Sequence, residues 1–356
     1  IYYRYGTPTG AALIDATNPQ AMNATFWHWY HGYGKYGVKA IWLDETEPDS
    51  LGYPSGGQWR FHKGTDRAIL PAWSYAWTKG FQSGLQNLNK KAYLNSDDQE
   101  DNFILLSRSQ YAGTSSHNAA MWSGDIYSTW KELELSIRSG QSAGISLIPL
   151  WCSDIGGYAG GDPLDSNFQQ LLVRWFQFGA FSPLFRIHGR RKTHKPPPQD
   201  NCGMPSGGDN EIWNLVGNKK DYYDAILSVI NLRENLRSYV FSLSLESKRS
   251  GCPIMRPMFF QYPNDPVCAT GDVEGQYMFG DYWLVSPVTK ANASEWIVYI
   301  PVDDGKWVYW WNKTCVQAGE WVTVNVTNIK EFPLFYLLRE AENMDTDQAH
   351  TIAMLS

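Results

Sequence analysis

The chain is 356 residues long, 43% hydrophobic and 19% charged, enough to bury the core of one large domain with a small one attached, or of two ordinary ones. That composition excludes a disordered chain. A net charge of −6, with no Lys/Arg cluster gathered on one element, argues against nucleic acid or another polyanion as partner.

From the start to about residue 245 the pattern repeats as a helix-like stretch, a short apolar strand, then a loop rich in Gly, Asp and Ser. Strands are expected at 39–43, at 91–95 (or 103–107 just after it), at 119–122, 145–150 and 183–187. Helix-length stretches lie between them at 72–88, 130–139 and 167–178. Strand alternating with helix means a parallel sheet. A long amphipathic helix is expected over 221–245, opening on the acidic Asp221 and Asp224. After Gly251 the texture changes to β-rich runs at 295–300, 307–311, 321–326 and 332–337, separated by Gly, Asp and Asn turns. A small antiparallel β-sandwich is the expected result. The division is 1–250 for the α/β domain, 251–340 for the sandwich and 341–356 for a polar tail.

In a parallel α/β barrel the functional groups sit at the carboxyl ends of the strands. Here 39–43 is followed by Asp44, Glu45 and Glu47, and 103–107 by Arg108. The run 119–122 leads to Ser123, Gly124 and Asp125, 145–150 to Trp151 and Asp154, and 183–187 to His188. One polar strand end is unremarkable, but five in succession form a site.

The chain holds 17 Trp, and an excess of Trp fills cores or offers flat platforms on which sugar rings stack. Most of them serve as core. Five Cys (Cys152, Cys202, Cys252, Cys268, Cys315) show no CxxC and no His-linked spacing, so neither a zinc site nor any other metal or cofactor is expected. Sequons at Asn23, Asn292, Asn312 and Asn325 tilt the expectation toward a secreted or secretory-pathway protein that is glycosylated. No apolar run approaches the roughly 20 residues of a membrane span. No signal-peptide pattern opens the sequence as given, and the start at Ile1 without Met reads as a processed product or a fragment.

Carboxylates beside Trp, with no phosphate loop, metal-ligand spacing or Ser/His/Asp signature, suit glycosidic-bond cleavage. That reaction places two carboxyls across one bond: one protonates the leaving oxygen, the other meets the oxocarbenium-like centre. At about 5–5.5 Å apart the second is a nucleophile and configuration is retained; wider spacing admits water and inverts. Sequence alone leaves that choice open.

The motifs resemble glycoside hydrolase family 31. Ile41-Trp-Leu-Asp-Glu-Thr-Glu-Pro48 is similar to the family's nucleophile motif, which implies Asp44 as nucleophile. Trp122-Ser-Gly-Asp-Ile126 resembles its acid/base motif and implies that role for Asp125. Leu106-Ser-Arg-Ser109 resembles the segment with the substrate-binding Arg, here Arg108. Trp151-Cys-Ser-Asp-Ile-Gly-Gly157 resembles the next strand end, with Asp154 lining the sugar pocket. The segment 174–189 is similar to the family's last-strand segment, whose His corresponds to His188. The likeness continues through 276–287 into the sandwich and covers nearly the whole chain.

The resemblance implies the later strands of a (β/α)₈ TIM barrel followed by the sandwich. It implies a retaining α-glycosidase cleaving terminal α-linked glucose or xylose from an oligosaccharide or glycoside, with the α-xylosidase-like branch nearer than the digestive α-glucosidases. Family members usually carry a β-sandwich and three barrel strands ahead of the nucleophile strand, and neither fits into the 38 residues before Lys39. A further N-terminal segment, fused or associated, is therefore expected of the working enzyme. Alone, the chain would expose two sheet edges and be poorly soluble or inactive. The loop 190–208, with three consecutive Pro and Cys202, replaces a shorter family loop.

Each residue has a plainer alternative. Asp44 could be a solvated loop acid among Glu45, Glu47 and Asp49, Asp125 the N-cap of a helix beginning near Trp130, and His188 a satisfied core histidine. Arg108 could be a structural ion-pair partner, Glu47 a loop support, and Trp42 and Trp122 pocket walls or packing. For the whole chain the rival reading is a carbohydrate-binding or inactive relative; a third is a relative that eliminates rather than hydrolyses. Retention of both carboxylates favours the enzyme.

Overall fold

The computed structural model describes residues 2–3, 12–47, 60–89, 103–194, 208 and 210–339. The chain divides into two compact units, Ile1–Trp122 and Ser123–Ser356.

In the first unit, helix α1 (Pro19–Gly32) starts where Asn18 accepts amide hydrogens from Gln20 and Ala21 and Pro19 supplies a preset φ. Its inner stripe, Met22 and Phe26, packs on α2 (Trp73–Asn89). The approach is close enough that a Cβ at Gly84 would lie 2.4 Å from the Phe26 ring, so glycine is required there for contact rather than for conformation. Three short strands run parallel: β1 (Ala40–Leu43), β2 (Ile104–Ser107) and β3 (Ala119–Trp122). In β1, Ile41 and Leu43 are buried with Phe26, Trp73, Phe81 and Leu105, while Ala40 and Trp42 on the other face are exposed.

The second unit opens with α3 (Trp130–Ile145), capped by Thr129, whose hydroxyl accepts the Glu132 amide hydrogen. The run expected as a strand at 145–150 is instead the end of this helix and a turn. Ile145 and Leu147 are exposed, Leu147 has φ +62°, and pairing begins only at β4 (Trp151–Cys152). The apolar run misleads because it lies on the surface.

Helix α4 (Ser166–Ala180) is buried along nearly all its length. The run 183–187 contributes a single parallel bridge, Ile155 to Ile187, rather than a strand; Pro183 has no amide hydrogen to give a ladder. The helix expected at 221–245 is two, α5 (Lys220–Asn235) and α6 (Arg237–Ser250), broken where Leu236 leaves helical ψ. Asn235, a poor helix former, closes the first. From α5, Arg233 donates to the carbonyls of Ala180, Ser182 and Pro183, satisfying acceptors at and just beyond the end of α4.

The sandwich consists of β5 (Met255–Pro257), β6 (Tyr277–Phe279), β7 (Trp283–Val285), β8 (Glu295–Tyr299), β9 (Lys306–Tyr309), β10 (Cys315–Val316), β11 (Trp321–Asn325) and β12 (Leu334–Leu338). One antiparallel sheet has the order β10-β9-β12-β7-β6-β5, and β8 pairs with β11 in the other. Met278, Leu284, Val298, Trp307, Val324 and Phe335 fill the space between them. No helix among the described residues is long and apolar enough to cross a membrane. The expected strand 91–95, most of the loop 190–208 and the tail 341–356 lie outside the described residues.

Candidate active site

In the first unit the parallel register sets Leu43 opposite Ser107, so the residues that follow, Asp44 and Arg108, leave adjacent strands at the same end. The Arg108 amide donates to the Leu43 carbonyl as the last rung, at 3.2 Å. Its guanidinium then bridges two acids: Nη1 lies 3.2 Å from Asp44 Oδ1, and Nε donates to Glu47 Oε1. The Arg108 side chain is 11% exposed and that of Asp44 45% exposed, so a half-buried cation holds a carboxylate that reaches solvent. Asp44 Oδ1 also accepts the Glu45 amide hydrogen at 2.8 Å. Among the described residues Oδ2 makes no hydrogen bond or ion pair. Glu45 turns the chain with φ +50°. Trp42, 52% exposed, stands edge-to-face with buried Trp122 at a centroid distance of 5.8 Å.

In the second unit three strand-end segments are hydrogen-bonded side by side. The Ser123 amide donates to the Cys152 carbonyl and the Asp154 amide to Ser123 Oγ. The Ile126 carbonyl accepts from Tyr158 and Ala159, while Arg190 donates its amide hydrogen to the Tyr158 carbonyl at 2.7 Å. Asp125 sits in the first segment, exposed, one residue past Gly124 at φ +73°. It does not cap α3, since Thr129 does. Gly157 (φ +71°) lies so near that a Cβ there would meet the Tyr127 carbonyl oxygen at 2.6 Å. Asp154 is fully buried and paired with Arg186 at 2.8 Å. The His188 ring stacks on Tyr158 at 5.3 Å. Burial holds the Cys152 thiol protonated, its pKa pushed up to about 12, so it is no nucleophile.

Two residues the sequence did not single out organise these loops. Arg191 is 2% exposed and donates to the carbonyls of Ile155, Gly156, Gly157, Gly160 and His188 and to the side chains of Ser128 and Asn210. All three segments are thereby tied to one guanidinium, whose pKa burial lowers to about 10. Arg186 is the second, as partner of Asp154. Nothing in the run Arg-Ile-His-Gly-Arg-Arg separates a buried cation from an exposed one. Among the described residues no three His, Cys, Asp or Glu side chains cluster as metal ligands.

Residues 1–243 match the glycosyl hydrolases family 31 TIM-barrel domain, and residues 251–338 match the glycosyl hydrolase family 31 C-terminal domain. The chain is 31% identical over 314 residues to an alpha-xylosidase of Saccharolobus solfataricus, covering 87% of this chain and 38% of that protein. It is 28% identical over 356 residues to alpha-xylosidase A of Aspergillus niger, covering 91% and 46%. A crystal structure of a family 31 alpha-xylosidase from a soil metagenome, complexed with xylose, superposes with TM-score 0.84 at 29% identity, covering 99% of this chain and 50% of that one. The chain thus spans half or less of the length of these relatives. With the barrel model matching more than half of its residues, the chain belongs to glycosyl hydrolase family 31.

Proposed function

We propose that this protein is a retaining α-glycoside hydrolase that removes terminal α-linked xylose or glucose, with Asp44 as nucleophile and Asp125 as acid and base. The single observation that carries this is the Asp44–Arg108 arrangement: a carboxylate at a strand's carboxyl end, anchored through Oδ1 with Oδ2 left available. In the first step Asp44 Oδ2 bonds to the anomeric carbon as the bond to the leaving oxygen breaks, and Asp125 gives that oxygen its proton. In the second, Asp125 takes a proton from water, the water oxygen bonds to the anomeric carbon, and the ester to Asp44 breaks. Two inversions give net retention. Trp42 offers a flat apolar face for the sugar with Trp122 supporting it, Arg108 and His188 are assigned to its hydroxyls, and Asp154, fully buried, acts there through its partner Arg186. The alpha-xylosidase relatives support xylose over glucose.

The test is hydrolysis of aryl α-xyloside and aryl α-glucoside by the chain together with the N-terminal segment expected of the working enzyme, followed by proton NMR. The α-anomer as first-formed sugar supports the reading; a β-anomer first, or no release from either substrate, overturns it.

A further inference from the structure

Thr46 sits between two acids in sequence, yet it is 1% exposed and turned away from them into a ring of hydroxyls. Its Oγ1 lies 2.7 Å from Ser107 Oγ and 3.3 Å from Ser109 Oγ, and it accepts the Ser109 amide hydrogen at 3.2 Å. Ser107, fully buried, donates its own hydroxyl hydrogen to the Ser109 carbonyl at 2.8 Å. Proton bookkeeping then fixes the directions. Ser107 has spent its one donor, so Thr46 donates to Ser107 Oγ, and Ser109 donates to Thr46 through its amide and its hydroxyl. Every donor is used, and the Thr46 oxygen has both lone pairs occupied.

The two residues gripped, Ser107 and Ser109, flank Arg108. The segment that holds Thr46 therefore also sets where the Arg108 guanidinium emerges, while Thr46 sets where the turn 44–47 lies. We infer that Thr46 is a positioning residue for the nucleophile: its hydroxyl fixes the turn, including the positive φ at Glu45, so that Asp44 Oδ1 meets Arg108 and Oδ2 faces the anomeric carbon. This rests on the reading of Asp44 as nucleophile. Valine in place of Thr46 keeps the shape, removes the donor and leaves Ser107 Oγ and the Ser109 amide without their buried partner. A displacement of the turn by about 1 Å costs on the order of 100-fold in rate.

The experiment is covalent labelling of the intact protein by 5-fluoro-α-xylosyl fluoride, in which Asp44 bonds to the anomeric carbon and fluoride leaves. Both the rate constant and the final stoichiometry are read by intact mass. The expected result is labelling slowed about 10- to 100-fold in Thr46→Val with the same end-point, near-normal rates in Thr46→Ser, and an intermediate rate in Ser107→Ala. A merely structural role would lower the end-point of the valine variant without changing the rate of the surviving fraction, and that outcome overturns the inference. So does equal labelling of Thr46→Val and wild type. Should the valine variant not fold, Ser107→Ala alone decides: unchanged rate overturns, slowed rate supports. Failure of the wild type to label overturns the nucleophile reading itself, a result distinct from the others.

Discussion

Arg108 binds Asp44 and Glu47 with different nitrogens of one guanidinium, Nη1 at 3.2 Å from Asp44 and Nε on Glu47. A planar fork can serve two acids at fixed angles, whereas an ammonium is a point charge on a flexible stem. Arg108→Lys should therefore keep the charge and lose the geometry, with kcat/KM down by on the order of 100-fold. Steady-state kinetics on an aryl α-xyloside checks this, and an unchanged kcat/KM would show that charge alone matters there.

Asp125 is exposed, and Thr129 rather than Asp125 caps the helix that follows, so the acid role predicts a loss that depends on the leaving group. Asp125→Ala should spare substrates with good leaving groups in the first step and slow poor ones by about 10²- to 10⁴-fold. Azide should restore turnover of the activated substrates by replacing water as the second nucleophile. Equal losses on activated and unactivated substrates would remove Asp125 from the acid role.

Arg191 spends its donors on five carbonyls and two side chains, and its bonds to the Ile155, Gly156 and Gly157 carbonyls are buried. Each buried acceptor left unmade costs about 1–3 kcal/mol. Arg191→Met should therefore destabilise by at least about 3 kcal/mol in urea denaturation. A loss below about 1 kcal/mol would mean that the three loops hold one another without it.

His117 is 4% exposed, its Nδ1 shares a hydrogen bond with Thr78 Oγ1 at 2.9 Å, and burial first, the Lys79 charge second, lower its pKa below 6.5. The unfolded chain then binds more protons than the folded one between the two pKa values. Its contribution to stability is present above pH 6.5 and is lost as pH falls through the folded value. The slope of stability against pH in that window should flatten in His117→Gln, and an identical slope in both proteins would contradict the assignment.

How much of this could be read from the sequence follows from how local each signal is. β1 and β3 fall within a residue of the apolar runs at 39–43 and 119–122, because flanking polar strand ends bound them sharply. The run 145–150 is just as apolar, but it begins exposed at the end of a helix and is nowhere buried, and hydropathy cannot tell a surface turn from a core strand. Asp44 and Arg108 were legible as strand-end groups, yet the bridge to Glu47 was not. Thr46 and Arg191 were illegible for the same reason: their partners, Ser107 and the carbonyls from Ile155 to Gly160, become neighbours only through folding.

The most direct test of the central claim is to locate the covalent adduct. After labelling with 5-fluoro-α-xylosyl fluoride, proteolysis and tandem mass spectrometry should place the sugar on Asp44, within Ile-Trp-Leu-Asp-Glu-Thr-Glu, and Asp44→Asn should remain unlabelled. A sugar found on Asp125, on Glu45 or Glu47, or no adduct at all under conditions of inactivation, would contradict the account.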